Sequence, residues 1–181
     1  MVEIYFKWIV VITASFAAAF NDVTKGKIPN ILTMPLFITG LIWSVWKGGL
    51  SEFGLSIMGA FVLALPYVIL FFFAGGGAGD AKMMGAIGSW VGLEQGLIVL
   101  LCVCISAVVL GLAKAILKKQ LKFLLSSIIV DLYNLIGILF GAFKMQKSDE
   151  FYKRSPMELT MPYGVPIFAG VCAAGGYYLC I

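Results

Sequence analysis

Of the nine acidic residues in this 181-residue sequence, three lie within or beside long apolar runs: Asp22, Asp80 and Asp131. Glu3, Glu52 and Glu94 fall at the ends of such runs or in loops. Asp149, Glu150 and Glu158 share a polar loop with bases, the ordinary setting of a solvated acid. The sequence has no histidine. That excludes Ser-His-Asp and Cys-His triads, histidine zinc sites and imidazole proton relays. Two carboxyl groups can still divide acid and base work. Removal from water and a like-charged neighbour both favour the neutral carboxyl, so two facing acids hold one proton between them. The ionised member can deprotonate water while the protonated member polarises a carbonyl.

Asp22 follows the apolar run 4–20 and Asp80 follows the run 53–74. In an up-and-down arrangement those run ends share one membrane face, which places the two acids at one depth. Each also has a purely structural reading, Asp22 as a helix-end acid near two lysines and Asp80 as the N-cap of the next helix. Asp131 falls with Ser127 and Asn134 on a polar stripe at helical spacing; its expected role is an ion pair with Lys118 or Lys122.

The elements that must carry these acids follow from composition. The chain is 61% hydrophobic and 12% charged, with mean hydropathy +1.02, too little polar surface for a soluble domain. The expected fold class is all-α: one polytopic membrane domain over residues 1–181, with about six transmembrane helices. Spans are expected at 4–20, 28–46, 53–74, 97–113 and 163–181, with a short helix at 81–92. Pro29 suits the first turn of the second span, Trp43 and Trp46 its far interface, and Pro66 predicts a kink. If 121–143 lies along the cytoplasmic interface or re-enters it, every one of the 13 basic residues except Lys7 and Lys47 faces the cytoplasm, as the positive-inside rule prefers. The expected location is the cytoplasmic membrane, with the N-terminus outside.

The net charge of +4 is no nucleic-acid signature. Cys102, Cys104, Cys172 and Cys180 lie in apolar runs, where thiols pack as small hydrophobes, and Cys102-x-Cys104 lacks the two-residue spacer of a redox or zinc pair. No metal or cofactor is expected.

The residues around both acids resemble a known family. Asp22-Val23-Thr24-Lys25-Gly26-Lys27-Ile28-Pro29-Asn30 is similar to the D-x5-I-P-N segment of type IV prepilin peptidases, and Gly77-Ala78-Gly79-Asp80-Ala81-Lys82 to their G-x-G-D-x-K motif. With Pro162-Tyr163-Gly164-Val165-Pro166 opening the last span, the likeness extends over nearly the whole chain. G-x-G-D alone also occurs in presenilin-like proteases. Those carry Tyr before the first aspartate, where Asn21 stands here, and lack the I-P-N extension. The resemblance implies a membrane aspartic endopeptidase with Asp22 and Asp80 as the catalytic pair. Its substrates would be prepilins or prepilin-like proteins, with a basic leader in the cytoplasm and a hydrophobic helix among membrane lipids. Larger family members carry paired Cys-x-x-Cys motifs and also N-methylate the product; this sequence resembles the small, peptidase-only form.

The remaining motif residues have expected parts. Gly77 and Gly79 let a substrate strand approach the backbone closely, or let helices pack through Gly75 and Gly79. Lys82 is expected to meet lipid headgroups or else to position substrate, and Asn30 to tie down the loop after Asp22 through backbone bonds. The short helix at 81–92 suggests local membrane thinning. The competing class is a small ion or solute transporter, which would show duplicated halves with paired broken helices; the Gly75–Gly79 break has no second copy.

Overall fold

Apolar runs long enough to satisfy their own backbone in lipid become helices. A computed structural model of the chain describes residues 2–74, 77–117 and 162–180, and every regular element among them is helical. The order is α1 (Val2–Lys25), α2 (Asn30–Ala74), α3 (Ala78–Leu117) and α4 (Gly164–Cys180). The expected interfacial helix at 121–143, with Asp131, lies outside the described residues. So do the loop acids Asp149, Glu150 and Glu158, and Gly75 and Gly76.

Helices α1, α2 and α3 are long and apolar enough to cross a membrane, and α4 is a shorter apolar helix. The 24 residues of α1 rise roughly 36 Å, against a hydrocarbon core of about 30 Å. At 45 and 40 residues, α2 and α3 exceed what one straight crossing needs, and glycines break both. In α2 the backbone leaves helical geometry at Gly48 and at Gly49 (φ 63°), and in α3 at Gly92 (φ 73°). A positive φ of this kind suits a residue without Cβ. The result is two arms in α2, 30–47 and 50–74, and two in α3, 78–91 and 93–117. Pro66 sits inside the second arm of α2, where the backbone dihedrals stay helical; the break lies at the glycines.

Residues Met1–Val108 and Pro162–Ile181 form one compact unit, and Val109–Met161 another. The first arm of α3 is the most enclosed element of the first unit: every residue from 83 to 91 is buried. It is apolar on all sides, the pattern of a helix surrounded by other helices. Met83, Met84 and Ile87 join Leu36 and Leu63 of α2, Trp8 and Val11 of α1, and Ile167 and Val171 of α4 in one core. Residues 83–91 are therefore enclosed by the other helices of this unit.

Close backbone approach makes this enclosure possible. A Cβ on Gly88 would lie 2.7 Å from the Ala60 Cα, and one on Gly59 would lie 2.6 Å from the Gly92 carbonyl carbon. Polar groups are satisfied across the same seam. Trp90 Nε1 donates to the Leu36 carbonyl at 2.8 Å and Ser56 Oγ to the Ser89 carbonyl at 2.5 Å. At the far end from Asp80, Lys7 Nζ donates to Gln95 Oε1 at 2.7 Å, and Lys47 pairs with Glu3. Trp43 stacks on Trp90 there, with ring centroids 5.9 Å apart. Phe16, Phe20, Ile31, Phe61 and Val108 point outward, the apolar exterior that lipid requires.

Candidate active site

The first acid is placed by a helix stop. Gly26 (φ 63°) follows the last residue of α1 and donates its N–H to the Asp22 carbonyl at 2.8 Å, a left-handed cap that ends the helix. Asp22 thus sits in the last turn, half-buried. Its polar neighbours bond within their own helix: Asn21 Nδ2 donates to the Ala17 carbonyl and Thr24 Oγ1 to the Phe20 carbonyl, both at 2.8 Å.

The linking residues then turn the chain onto α3. Ile28 is buried against Gly79, where a Cβ would lie 3.1 Å from the Ile28 Cβ. The Pro29 carbonyl accepts from the Leu32 N–H at 3.0 Å and so leads into α2, which starts at Asn30, two positions after the start at 28 that the sequence suggests. Asn30 Oδ1 accepts from Lys82 Nζ at 3.0 Å. This differs from the sequence expectation for both residues. Lys82 reaches a side chain of the other motif, and Asn30 braces the loop through that lysine.

Asp80 is the third residue of α3 and 6% exposed. Its N–H donates to the Gly77 carbonyl at 3.1 Å, and its carboxylate takes a backbone hydrogen bond at Gly77. An acid at this position reaching back to the residue before the helix is half of a capping box. The structural reading of Asp80 is therefore met in modified form, and it leaves the carboxylate beside the other acid. The charge on Asp22 acts at Asp80 as a like-charged neighbour. Gly77 needs its bare backbone, because a Cβ would lie 2.7 Å from Asp80 Oδ2.

The fourth wall comes from α4. The Gly164 N–H donates to Asp22 Oδ2 at 2.8 Å. Sequence reasoning singled out the Pro-Tyr-Gly-x-Pro segment yet gave Gly164 no part. It also passed over Tyr67, which is 9% exposed and lies within electrostatic reach of Asp80 and Tyr163. The available signal was a phenol inside an otherwise apolar helix, directly after Pro66. Asp22, Pro29, Asn30, Gly77, Gly79, Asp80 and Lys82 thus gather at one end of the first unit. Among the described residues, no group of three or more acids or cysteines could hold a metal ion.

Residues 9–112, which contain both aspartates, match the family model for the Type IV leader peptidase family. The chain belongs to that family. Similar proteins carry the description prepilin leader peptidase/N-methyltransferase. One from Aeromonas hydrophila is 30% identical over 111 residues, covering 58% of this chain and 38% of that protein. One from Burkholderia pseudomallei (strain 1026b) is 31% identical over 106 residues, covering 55% of this chain and 34% of that protein. The chain thus matches little more than a third of the length of these curated relatives. No solved structure matches it. For a leader peptidase family member, the matched stretch holds Asp22 and Asp80 but stops short of Gly164.

Proposed function

We propose that this chain is an aspartic endopeptidase of the GxGD type that removes the short basic leader from type IV prepilin or prepilin-like precursors. The observation that carries the reading is the meeting of Asp22 and Asp80. They stand 58 positions apart in sequence on separate helices, yet the Asp22 charge acts at Asp80. The ionised member takes a proton from water as the water oxygen bonds to the scissile carbonyl carbon, and the protonated member gives its proton to the carbonyl oxygen. The tetrahedral diol then collapses. One carboxylate recovers a proton from a diol hydroxyl, the other carboxyl protonates the departing amine nitrogen, and the C–N bond breaks. The pair ends as it began, sharing one proton, and no metal or cofactor enters.

The reading extends to the setting. One domain spans residues 1–181, with about six helices crossing the cytoplasmic membrane. The aspartates then face the cytoplasm, where a basic leader waits while the precursor's apolar helix remains in lipid. The distribution of lysines supports this orientation. The product would feed pilus assembly or protein secretion. The methyltransferase in the relatives' printed names is left to those proteins.

The test is direct. The full chain in liposomes is incubated with a panel of prepilins and pseudopilins, and the products are weighed by mass spectrometry. A single cut after a basic leader, lost in Asp22→Asn and in Asp80→Asn, is expected. Cleavage that persists in either variant would overturn the two-aspartate mechanism.

A further inference from the structure

We infer that Gly164 is a positioning residue for Asp22: its backbone N–H anchors one carboxylate oxygen, and its missing side chain lets α4 come close enough to do so. This rests on the two-aspartate reading and adds a component outside both aspartate motifs. The N–H lies 2.8 Å from Asp22 Oδ2 across 142 positions of sequence. It belongs to the first residue of α4, one of the helix-terminal donors that have no partner in their own helix. The positive end of the helix dipole comes with it.

Two features make this more than packing. A Cβ at 164 would lie 2.9 Å from both the Ala19 Cα and the Asp22 Cβ, so any side chain drives the donor off the acid. A backbone N–H also holds its proton throughout catalysis. It fixes Oδ2 without competing for the proton that Asp22 must exchange with water, as a hydroxyl or an ammonium in its place would. Asp22 sits in the last turn of a helix, followed by exposed residues from Val23 to Lys27. Its own helix end gives that carboxylate little constraint, and α4 supplies it.

The test uses the full chain with a prepilin substrate and a hydroxyethylene peptide spanning the cleavage site, a mimic of the tetrahedral state. Gly164→Ala should lower kcat by about a hundredfold, the scale of a one-ångström misplacement, and leave KM within about twofold. The mimic should bind more weakly by a similar factor, at an unchanged number of sites per chain. Mere loss of folded protein would reduce the number of sites and leave the affinity alone. Gly175→Ala is the matched control on the same α1–α4 seam. Its Cβ meets the Ile12 Cδ1 end and the Trp8 ring at 3.1 Å, away from Asp22, and both activity and mimic affinity should stay near wild type. Wild-type kcat and affinity in Gly164→Ala, or an equal loss in Gly175→Ala, overturns the inference while the peptidase reading stands. A wild-type chain that cleaves no precursor removes both.

Discussion

Lys82 Nζ lies 3.0 Å from Asn30 Oδ1, so the lysine of one aspartate motif grips the asparagine of the other. The two residues are 52 positions apart, and the bond ties the loop after Asp22 to the helix that carries Asp80. It is exposed to solvent, which limits its worth to that of an ordinary hydrogen bond, about 1 kcal/mol. Asn30→Ala and Lys82→Ala should therefore each lower kcat/KM by about fivefold. The double variant should lose little more than either alone, because one bond cannot be broken twice. A double-mutant cycle on prepilin cleavage measures this, and fully additive losses would show that the two side chains act separately.

Replacing either proposed catalytic carboxylate has a harsher outcome. Asp22→Asn and Asp80→Asn keep shape and remove the ability to exchange a proton. Each should lower kcat by more than about a thousandfold, the scale seen when a paired acid–base group is removed. Circular dichroism and gel filtration in detergent should match wild type. Loss of helix content instead would make the acids structural.

Packing at the enclosed helix predicts a stability effect with no catalytic residue involved. Gly88→Ala places a Cβ against the Gly59 carbonyl and the Ala60 Cα, backbone atoms that cannot turn aside. Overpacking of this kind costs about 1–3 kcal/mol. The thermal midpoint in detergent should fall by several degrees, whereas an unchanged midpoint would mean the two arms separate freely.

Trp90→Phe tests the same helix from its other end. The change removes the Nε1 donor that reaches the Leu36 carbonyl at 2.8 Å, while Thr39 Oγ1 still donates to that carbonyl at 3.1 Å. Losing one neutral hydrogen bond whose acceptor keeps another donor costs about 1 kcal/mol. Denaturation should show that loss, with KM for precursor unaltered, since Trp90 lies at the end of the arm away from Asp80.

The thiols should be dispensable. Cys102 and Cys172 are half-buried, Cys104 and Cys180 are exposed, and all are free. A cysteine-free chain should cleave at the wild-type rate. It also provides the background in which a single cysteine at Ser148, labelled from one side, tests the cytoplasmic placement of the loop.

The helices and their glycine breaks were legible in the sequence because apolar runs and Lys47-Gly48-Gly49 announce themselves locally. Elimination reduced nine acids to Asp22, Asp80 and Asp131, and the two motif resemblances singled out the first two as the candidate pair. What escaped depends on contacts between distant positions. Nothing in the run 83–91 says that protein rather than lipid surrounds it, because both surroundings select apolar side chains. Lys82 reads as a headgroup lysine until the fold sets Asn30 beside it. Gly164 acts through its backbone, which leaves only an absent side chain as its sequence trace.

The Gly164–Asp22 bond also has a consequence in time. A ribosome has made both aspartates by position 80, but the donor that steadies the first of them is encoded 84 positions later. A nascent chain therefore carries its reactive groups through much of synthesis without the support that α4 provides. Under the proposed function, proteolytic competence then arrives with α4, after the helices around the site have already had time to dock.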